Sequence, residues 1–223
     1  MEYLAPPFID IHTHDTRSIP GILQVRNHIV GQDEMASNYL YTAGIHPWYI
    51  DQSPYLQLKQ LECIAAKKEV LGIGECGLDK QCTTDWDLQI EVFRQQVELA
   101  NTTNKPIIIH SVRAYQEIVQ QLTLQRVQTP VIFHGFNKKN ELAQELLKKG
   151  YYLSLGAEIL LGRQSALITS IPLHRMFLET DNKTTNIVDI FSYFCAARKI
   201  PLAVLKQQMA ENMEHVFNYR IEE

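Results

Sequence analysis

The sequence predicts an α/β fold, a closed TIM-type (β/α) barrel whose ring of helices is incomplete in the N-terminal third. Three observations lead to this fold class. Short, nearly continuous apolar runs recur eight times, helical patterns fill the gaps between them from residue 52 onward, and the earlier gaps are too short for normal helices. Such runs are typical of parallel strands covered on both faces, and repeated strand–helix units imply right-handed crossovers. Eight of these strands in one domain favour closure into a barrel.

The predicted strands are short runs enriched in β-branched residues. They comprise residues 8–12, 22–30, 39–44, 70–74, 106–110, 130–134, 151–155 and 176–178. The segment between the first two strands and residues 31–38 leave room for little more than a turn or two. We therefore expect no covering helix on that side of the barrel.

Six helices are predicted from amphipathic spacing and from residues that favour helix ends. Ser53 is the predicted N-cap of the first helix, with Pro54 at its first position, and Thr84 is the predicted N-cap of the second. The later helices cover residues 112–125, 138–149 and 184–198, and the last one begins at Pro201. Gly150 is expected to end the 138–149 helix in a left-handed conformation. The apolar stripes predict helix faces that pack on the sheet.

The composition is that of an ordinary globular protein, and we expect one domain over residues 1–223. Of the 223 residues, 45% are apolar and 21% are charged, and the formal net charge is −4. These values exclude a disordered chain, collagen and a coiled coil. The mild acidity argues against a surface that coats nucleic acid non-specifically, although a small basic rim around a cleft stays compatible with it.

The cellular setting is predicted from the cysteines and from the apolar runs. No apolar run is long enough to span a bilayer, and residues 1–14 lack the pattern of a signal peptide. The cysteines form neither a CxxC pair nor a spaced framework, which predicts free thiols in a reducing compartment. They are Cys63, Cys76, Cys82 and Cys195. We expect a cytoplasmic monomer that does not contact membranes.

Ionisable side chains stand where the predicted strands end. His12 and His14 follow the first strand two residues apart, so strand alternation points both imidazoles toward the barrel mouth. The other candidates follow later strands and are Glu75, His110, His134 and Asp181. The C-terminal ends of barrel strands converge on one face, where ionisable groups are costly unless they are paired or bind metal. The joint pattern therefore predicts a metal site.

Four imidazoles and two carboxylates exceed what one tetrahedral catalytic ion with an open position uses. Two divalent ions that share a carboxylate fit the set better. Such a pair can activate a bridging water and hold the attacking and leaving oxygens of an in-line displacement. Zinc and manganese suit these ligands, as do cobalt and iron, and magnesium fits with additional waters.

Five short motifs occur in a characteristic order. They are residues 9–14 (IDIHTH), 44–47 (GIHP), 72–79 (GIGECGLD), 106–110 (PIIIH) and 178–181 (LETD). Together they resemble the successive signatures of the TatD family of metal-dependent hydrolases, and the match runs from residue 8 to about residue 217, including the closing helix 211–217 (ENMEHVF). The resemblance implies a barrel of the amidohydrolase type and metal-dependent deoxyribonuclease activity.

The resemblance also implies a division of the ligands between two ions. His12 and His14 would hold one ion together with Asp181. The ligands of the second ion would be His110 and His134, and Glu75 would bridge the two. As a hypothesis from the chemistry, Asp181 also takes the proton from the attacking water.

The sequence departs from the family pattern only in loops. The stretch between His14 and Gly44 is shorter than usual in the family, and residues 135–138 (GFNK) replace a small-residue and serine pattern. Lys183 lies where the family often has proline, and Arg113 lies one position later than the family's usual arginine after the histidine of the fifth strand. These loops shape the cleft, so the departures bear on substrate preference. Cations there are candidate contacts to flanking phosphates. They are Lys80, Arg113, Lys138, Lys139 and Lys183.

The sequence allows two interpretations for several residues near the predicted cleft. His46 is a candidate contact to the substrate or leaving group, or a histidine bonded at a strand end. Trp48 and Tyr49 either stack on bases or pack at the barrel mouth. Asp10 is expected to point to the same face as the ligands and to orient a histidine.

The leading functional hypothesis is a phosphodiesterase acting on single-stranded DNA or DNA ends, because a narrow barrel mouth admits a strand more easily than a duplex. One alternative is a phosphoester, lactone or amide hydrolase acting on small molecules with the same ions. The other is a non-catalytic barrel that retains metal and binds a partner.

Overall fold

The architecture alternates strands and helices in the order that the sequence predicts. The computed structural model describes residues 6–221. The strands are β1 (Phe8–Thr13), β2 (Ile22–Ile29), β3 (Leu40–Gly44), β4 (Val70–Asp79), β5 (Ile107–Val112), β6 (Val131–Phe133), β7 (Tyr152–Leu155) and β8 (Met176–Leu178). In the sheet they follow one another in chain order from β1 to β8. Every predicted strand is therefore confirmed.

In the described part of the chain, the helices are the six predicted ones and one short addition. They are α1 (Tyr55–Ala65), α2 (Trp86–Thr103), α3 (Tyr115–Leu124), α4 (Asn140–Lys148), α5 (Ser165–Ser170), α6 (Ile187–Arg198) and α7 (Leu202–Phe217). The sequence did not predict α5 or the 3-10 turns at Pro47–Tyr49, Ala157–Leu161 and Leu173–Arg175, because each is too short for periodicity to show. Residues 14–21 and 30–39 contain no helix, as expected. None of the helices within residues 6–221 is both long and apolar enough to cross a bilayer.

The described chain divides into two compact units. The terminal unit contains the residues up to Arg26 together with those from Phe133 onward, and the central unit is Asn27–Ile132. The prediction of one domain over residues 1–223 stays a prediction.

The terminal unit is organised by parallel pairing and aromatic packing. β7 pairs with β8 in parallel, with Leu153 opposite Met176. The ring of Phe8 packs edge-on against that of Phe191 at 5.2 Å, which fixes α6 against β1. At the end of α4, Gly150 has a φ of +84°, which confirms the predicted left-handed helix end.

The central unit places three helices around β3, β4 and β5, which pair in parallel. Its core includes Val30, Leu61 and Val92, all buried. α2 is capped by Asp85, whose carboxylate accepts a hydrogen bond from the backbone N–H of Leu88 at 3.0 Å. The prediction that Thr84 caps this helix is wrong, because its hydroxyl donates to the carbonyl of Pro47 instead. Ser53 does not cap α1 either, since the N-cap position is taken by Pro54.

β4 extends beyond the predicted strand to Asp79, so Glu75 lies within the strand and not at its end. Gly74 and Gly77 lie where the backbones of β4 and β5 come too close for a side chain. A Cβ on Gly74 would lie 2.5 Å from the carbonyl oxygen of Ile108, and one on Gly77 would lie 2.0 Å from that of His110. The pairing register with β5 shifts between Ile73 and Cys76. Such a bulge changes the direction of the side chains next to it, which local sequence does not predict.

Replacing Gly77 with alanine is expected to lower the free energy of unfolding by about 3 kcal/mol or more. Its φ is +152°, and the added methyl group would overlap backbone that cannot move. The matched control is Gly150→Ala, which also has positive φ but has nothing within 4 Å of the new Cβ. This variant should lose only about 1 kcal/mol. Urea unfolding compares the two, and equal losses would contradict the role of close approach.

Candidate metal centre

The terminal unit brings two predicted ligands, one in β1 and one just after it, to the loop after β8. The Oδ1 atom of Asp181 lies 3.7 Å from Nε2 of His12 and 3.5 Å from Nε2 of His14. One ligand atom from each residue lies within 4.8 Å of the others. His12 is buried, whereas the side chains of His14 and Asp181 are about one-third exposed. The three side chains therefore form a donor set that is open to solvent on one side.

Backbone pairing explains how these distant residues meet. The backbone N–H of Asp181 donates to the carbonyl of His12 at 2.9 Å, and that of His14 donates to the carbonyl of Asp181 at 3.1 Å. The loop after β8 thus continues the sheet beside the end of β1, with Thr13 opposite Asp181. This pairing sets the spacing of the three side chains.

The carboxylate of Asp10 bonds to Thr180, and its expected role in orienting a histidine stays a prediction. This carboxylate accepts hydrogen bonds from the backbone N–H and the hydroxyl of Thr180, at 2.9 and 2.6 Å. The register with β2 shifts between Asp10 and Thr13, so the alternation that placed Asp10 and His12 on one face is interrupted. Burial raises the pKa of Asp10 to about 7, although the bonds from Thr180 oppose that rise. Asp10 therefore anchors the residue that precedes Asp181.

His134 is held by Glu179, a carboxylate that was not among the predicted site residues. Its Nδ1 lies 3.2 Å from Oε1 of Glu179, and the same oxygen accepts the backbone N–H of Gly135 at 2.7 Å. Complete burial would raise the pKa of Glu179, but the charges of His134 and His12, together with hydrogen bonds from His134 and Ser154, lower it. A buried carboxylate on one ring nitrogen is the usual support of a metal-binding histidine. The sequence signal for Glu179 was its position directly after β8, two residues before Asp181.

Replacing Glu179 with glutamine is expected to weaken divalent-metal binding about 10- to 100-fold, because the imidazole of His134 loses the charge that orients it. Glu158→Gln is the matched control, since Glu158 is exposed. Competition with a chromogenic chelator measures the affinity of both variants. Unchanged affinity in Glu179→Gln would contradict a supporting role for this carboxylate.

The central unit holds a second cluster. Nδ1 of His110 lies 2.7 Å from Oε1 of Glu75, and Nε2 of His46 lies 3.3 Å from both of these atoms. The carboxylate of Glu75 is itself positioned by Asn27, whose amide lies 3.4 Å from Oε2 and whose Oδ1 accepts the backbone N–H of Glu75 at 2.8 Å. His46 was predicted as a substrate contact, and the structure brings it among the candidate ligand atoms.

Asp79 links His110 to an aromatic residue. Its Oδ2 accepts the indole N–H of Trp48 at 2.6 Å and lies 3.2 Å from Nε2 of His110. Burial would raise the pKa of Asp79, but hydrogen bonds from Trp48, from the backbone of Gln81 and from His110 lower it below its usual value. His110 therefore has a carboxylate near each ring nitrogen. The only sequence signal for Asp79 is its place as the last residue of the 72–79 motif.

The predicted phosphate-binding cations are not part of either cluster. The side chains of Arg113, Lys138 and Lys183 are exposed. Lys183 lines a cavity of about 360 Å³ beside Thr180. Lys80 forms an ion pair with Glu117 on α3. Their predicted role in binding substrate stays a prediction.

The donor chemistry of both clusters fits divalent cations. Imidazole nitrogens and carboxylate oxygens lie within 4.8 Å of one another in each unit. These are ligands that zinc and manganese share, and the buried carboxylates Glu179 and Asp79 provide the support expected around them. Ionisable groups gathered this closely are costly unless they are paired or bind a cation.

Comparison with known proteins agrees with this chemistry. A family model described as TatD related DNase matches residues 25–218. The uncharacterized metal-dependent hydrolase YcfH of Escherichia coli K12 is 25% identical over 219 residues, which cover 90% of this chain and 80% of YcfH. The uncharacterized metal-dependent hydrolase YabD of Bacillus subtilis is 33% identical over 150 residues, which cover 65% of this chain and 59% of YabD.

Solved structures confirm the predicted fold class. The TatD homolog YjjV of Escherichia coli superposes with a TM-score of 0.84 at 21% identity, covering 97% of this chain and 100% of YjjV. Another match is the phosphotriesterase homology protein of Escherichia coli, which was solved with phosphate in its active site. Its TM-score is 0.66 at 14% identity, and the match covers 88% of this chain and 83% of that protein. At these identities the likeness shows the fold, an α/β barrel of the TIM type.

Proposed function

This chain belongs to the TatD family of metal-dependent hydrolases, and from that premise we propose that it is a deoxyribonuclease that cleaves single-stranded DNA or DNA ends with two divalent cations. The family description names a DNase, which supports DNA as the substrate. The observation that carries the proposal is the cluster of His12, His14 and Asp181, which combines two imidazoles with a partly exposed carboxylate.

Two groups of residues would hold the cations. His12, His14 and Asp181 would bind one, and Glu75 and His110 would bind the other. The assignments of Glu75 as a bridge and of His134 to the second ion remain predictions from the family resemblance. When bound, divalent cations supply Lewis acidity, which acidifies water and neutralises charge that grows on phosphoryl oxygens.

The side chains of this chain have distinct tasks in that reaction. Asp181 is partly exposed beside two imidazoles, so its carboxylate can accept a proton from the attacking water. Glu179 and Asp79 keep His134 and His110 in fixed orientations through their hydrogen bonds. Arg113, Lys138 and Lys183 would contact phosphates that flank the scissile bond.

The test incubates purified protein with end-labelled single-stranded and duplex DNA in magnesium, manganese or zinc. Single strands should be degraded faster, and both a chelator and the Glu75→Ala substitution should stop the reaction. Degradation that survives the chelator and the substitution would indicate a contaminating nuclease and contradict the proposal. Cleavage of small phosphoesters or lactones without cleavage of DNA would favour the alternative of a small-molecule hydrolase. Stoichiometric metal without any hydrolysis would favour a binding protein.

We also propose that the protein works as a cytoplasmic monomer. All four cysteines are free, as predicted, which supports a reducing compartment. Fractionation of cells and light scattering of the purified protein test the two parts of this proposal.

A further inference from the structure

The 3-10 turn Pro47–Tyr49 presents two aromatic rings to solvent beside the central cluster. Trp48 is 56% exposed and Tyr49 is 37% exposed, although large aromatic side chains are usually well buried. The sequence left open whether these rings pack at the barrel mouth or stack on a ligand. An indole with more than half of its surface in water is not explained by packing.

The exposed indole is nevertheless held in one orientation. Its Nε1 donates to the buried carboxylate of Asp79 at 2.6 Å, and the backbone N–H of Trp48 donates to Nδ1 of His46 at 3.1 Å. On the outer side, the carbonyl of Pro47 accepts the hydroxyl of Thr84 at 2.7 Å. These bonds fix the ring without covering its face. A ring ordered in advance loses little conformational entropy when a ligand covers it.

The ring also lies next to candidate metal ligands. Its centroid is 5.1 Å from that of His46 and 6.1 Å from that of His110, and Asp79 bonds to both Trp48 and His110. A ligand on the indole face would therefore lie beside the groups proposed to act on the scissile bond.

We propose that Trp48 is a stacking platform for an unpaired nucleobase adjacent to Glu75 and His110. This inference rests on the proposed function, because a polynucleotide supplies flat aromatic bases together with the phosphodiester. A base inside a duplex is covered by its neighbours, whereas a base in a single strand or a frayed end exposes its face. The platform thus selects strands whose bases are unstacked, and it tolerates any base because each has a π-face.

Binding is measured first without catalysis. The chain has two tryptophans, so Trp86→Phe leaves Trp48 as the only indole. With a chelator present, a short oligothymidylate should quench the fluorescence of this variant. An oligomer of equal length and charge in which abasic sites replace the bases should not. Equal quenching by both oligomers, or quenching by neither, overturns the proposal.

Two substitutions separate stacking from the hydrogen bond to Asp79. Trp48→Ala should weaken binding of labelled oligothymidylate about 5- to 100-fold and leave binding of the abasic oligomer unchanged. Trp48→Phe keeps an aromatic ring, so it should retain most of the affinity for oligothymidylate. Because this variant lacks the N–H that donates to Asp79, any effect on kcat reports the loss of that bond. Circular dichroism verifies folding of both variants. If Trp48→Ala binds both oligomers as the parent does, the proposal is wrong.

The experiments distinguish failure of the stacking platform from failure of the proposed nuclease function. Selective quenching of Trp48 without hydrolysis of any phosphodiester would support the platform and contradict the nuclease. Hydrolysis that is equally fast on DNA before and after Trp48→Ala, with unchanged KM, would support the nuclease and overturn the platform.

Discussion

Replacing Asp181 with asparagine is expected to lower turnover about 10³-fold while most of the bound metal remains. The amide can no longer accept a proton, but its oxygen stays beside Nε2 of His12 and Nε2 of His14. Turnover on single-stranded DNA and elemental analysis of the same preparation measure the two effects separately.

The control for this substitution is Asp189→Asn, which changes an exposed carboxylate in the first turn of α6. It should retain the rate of the parent protein. A rate for Asp181→Asn equal to that of the parent would refute the proton-accepting role. A loss of metal as large as the loss of rate would show that the carboxylate acts only as a ligand.

The second large effect is expected for His14→Ala. His14 is partly exposed, so the fold should tolerate the truncation, but the cluster with His12 and Asp181 loses one of its two imidazoles. Loss of a divalent ion removes several kcal/mol of transition-state stabilisation, so turnover should fall about 10³-fold. Metal content should fall with it, and high metal concentrations should restore part of the rate.

His174→Ala is the matched control, because His174 is exposed and is not one of the candidate ligands. It should keep metal content, rate and unfolding midpoint. If His14→Ala retained both its metal and its rate, the assignment of this imidazole as a ligand would be wrong.

The strands, the long helices and the candidate ligands could be predicted because each has a local cause. An apolar run such as residues 106–110 specifies a buried strand through its own side chains, and the histidine at its end interrupts that run. The 138–149 helix and its left-handed end at Gly150 likewise depend on neighbouring residues only. The barrel class followed from counting such elements.

The environment of each ligand could not be predicted in the same way. Glu179 and Asp79 support His134 and His110 through hydrogen bonds between residues that are 45 and 31 positions apart in the chain. Asp10 bonds to Thr180, which lies 170 positions away in the chain. No periodicity along the chain encodes these partners, since they depend on the register between strands.

The sequence alone thus determined which segments become strands and helices and which ionisable residue types interrupt the apolar runs, because apolar periodicity and residue chemistry act over a few neighbouring positions. The tertiary structure decided which carboxylate holds which imidazole, that His46 joins Glu75, and that the indole of Trp48 is fixed yet exposed. Bulges and contacts between distant segments set those directions, and hydrogen bonds of 2.6 to 3.3 Å tolerate little displacement.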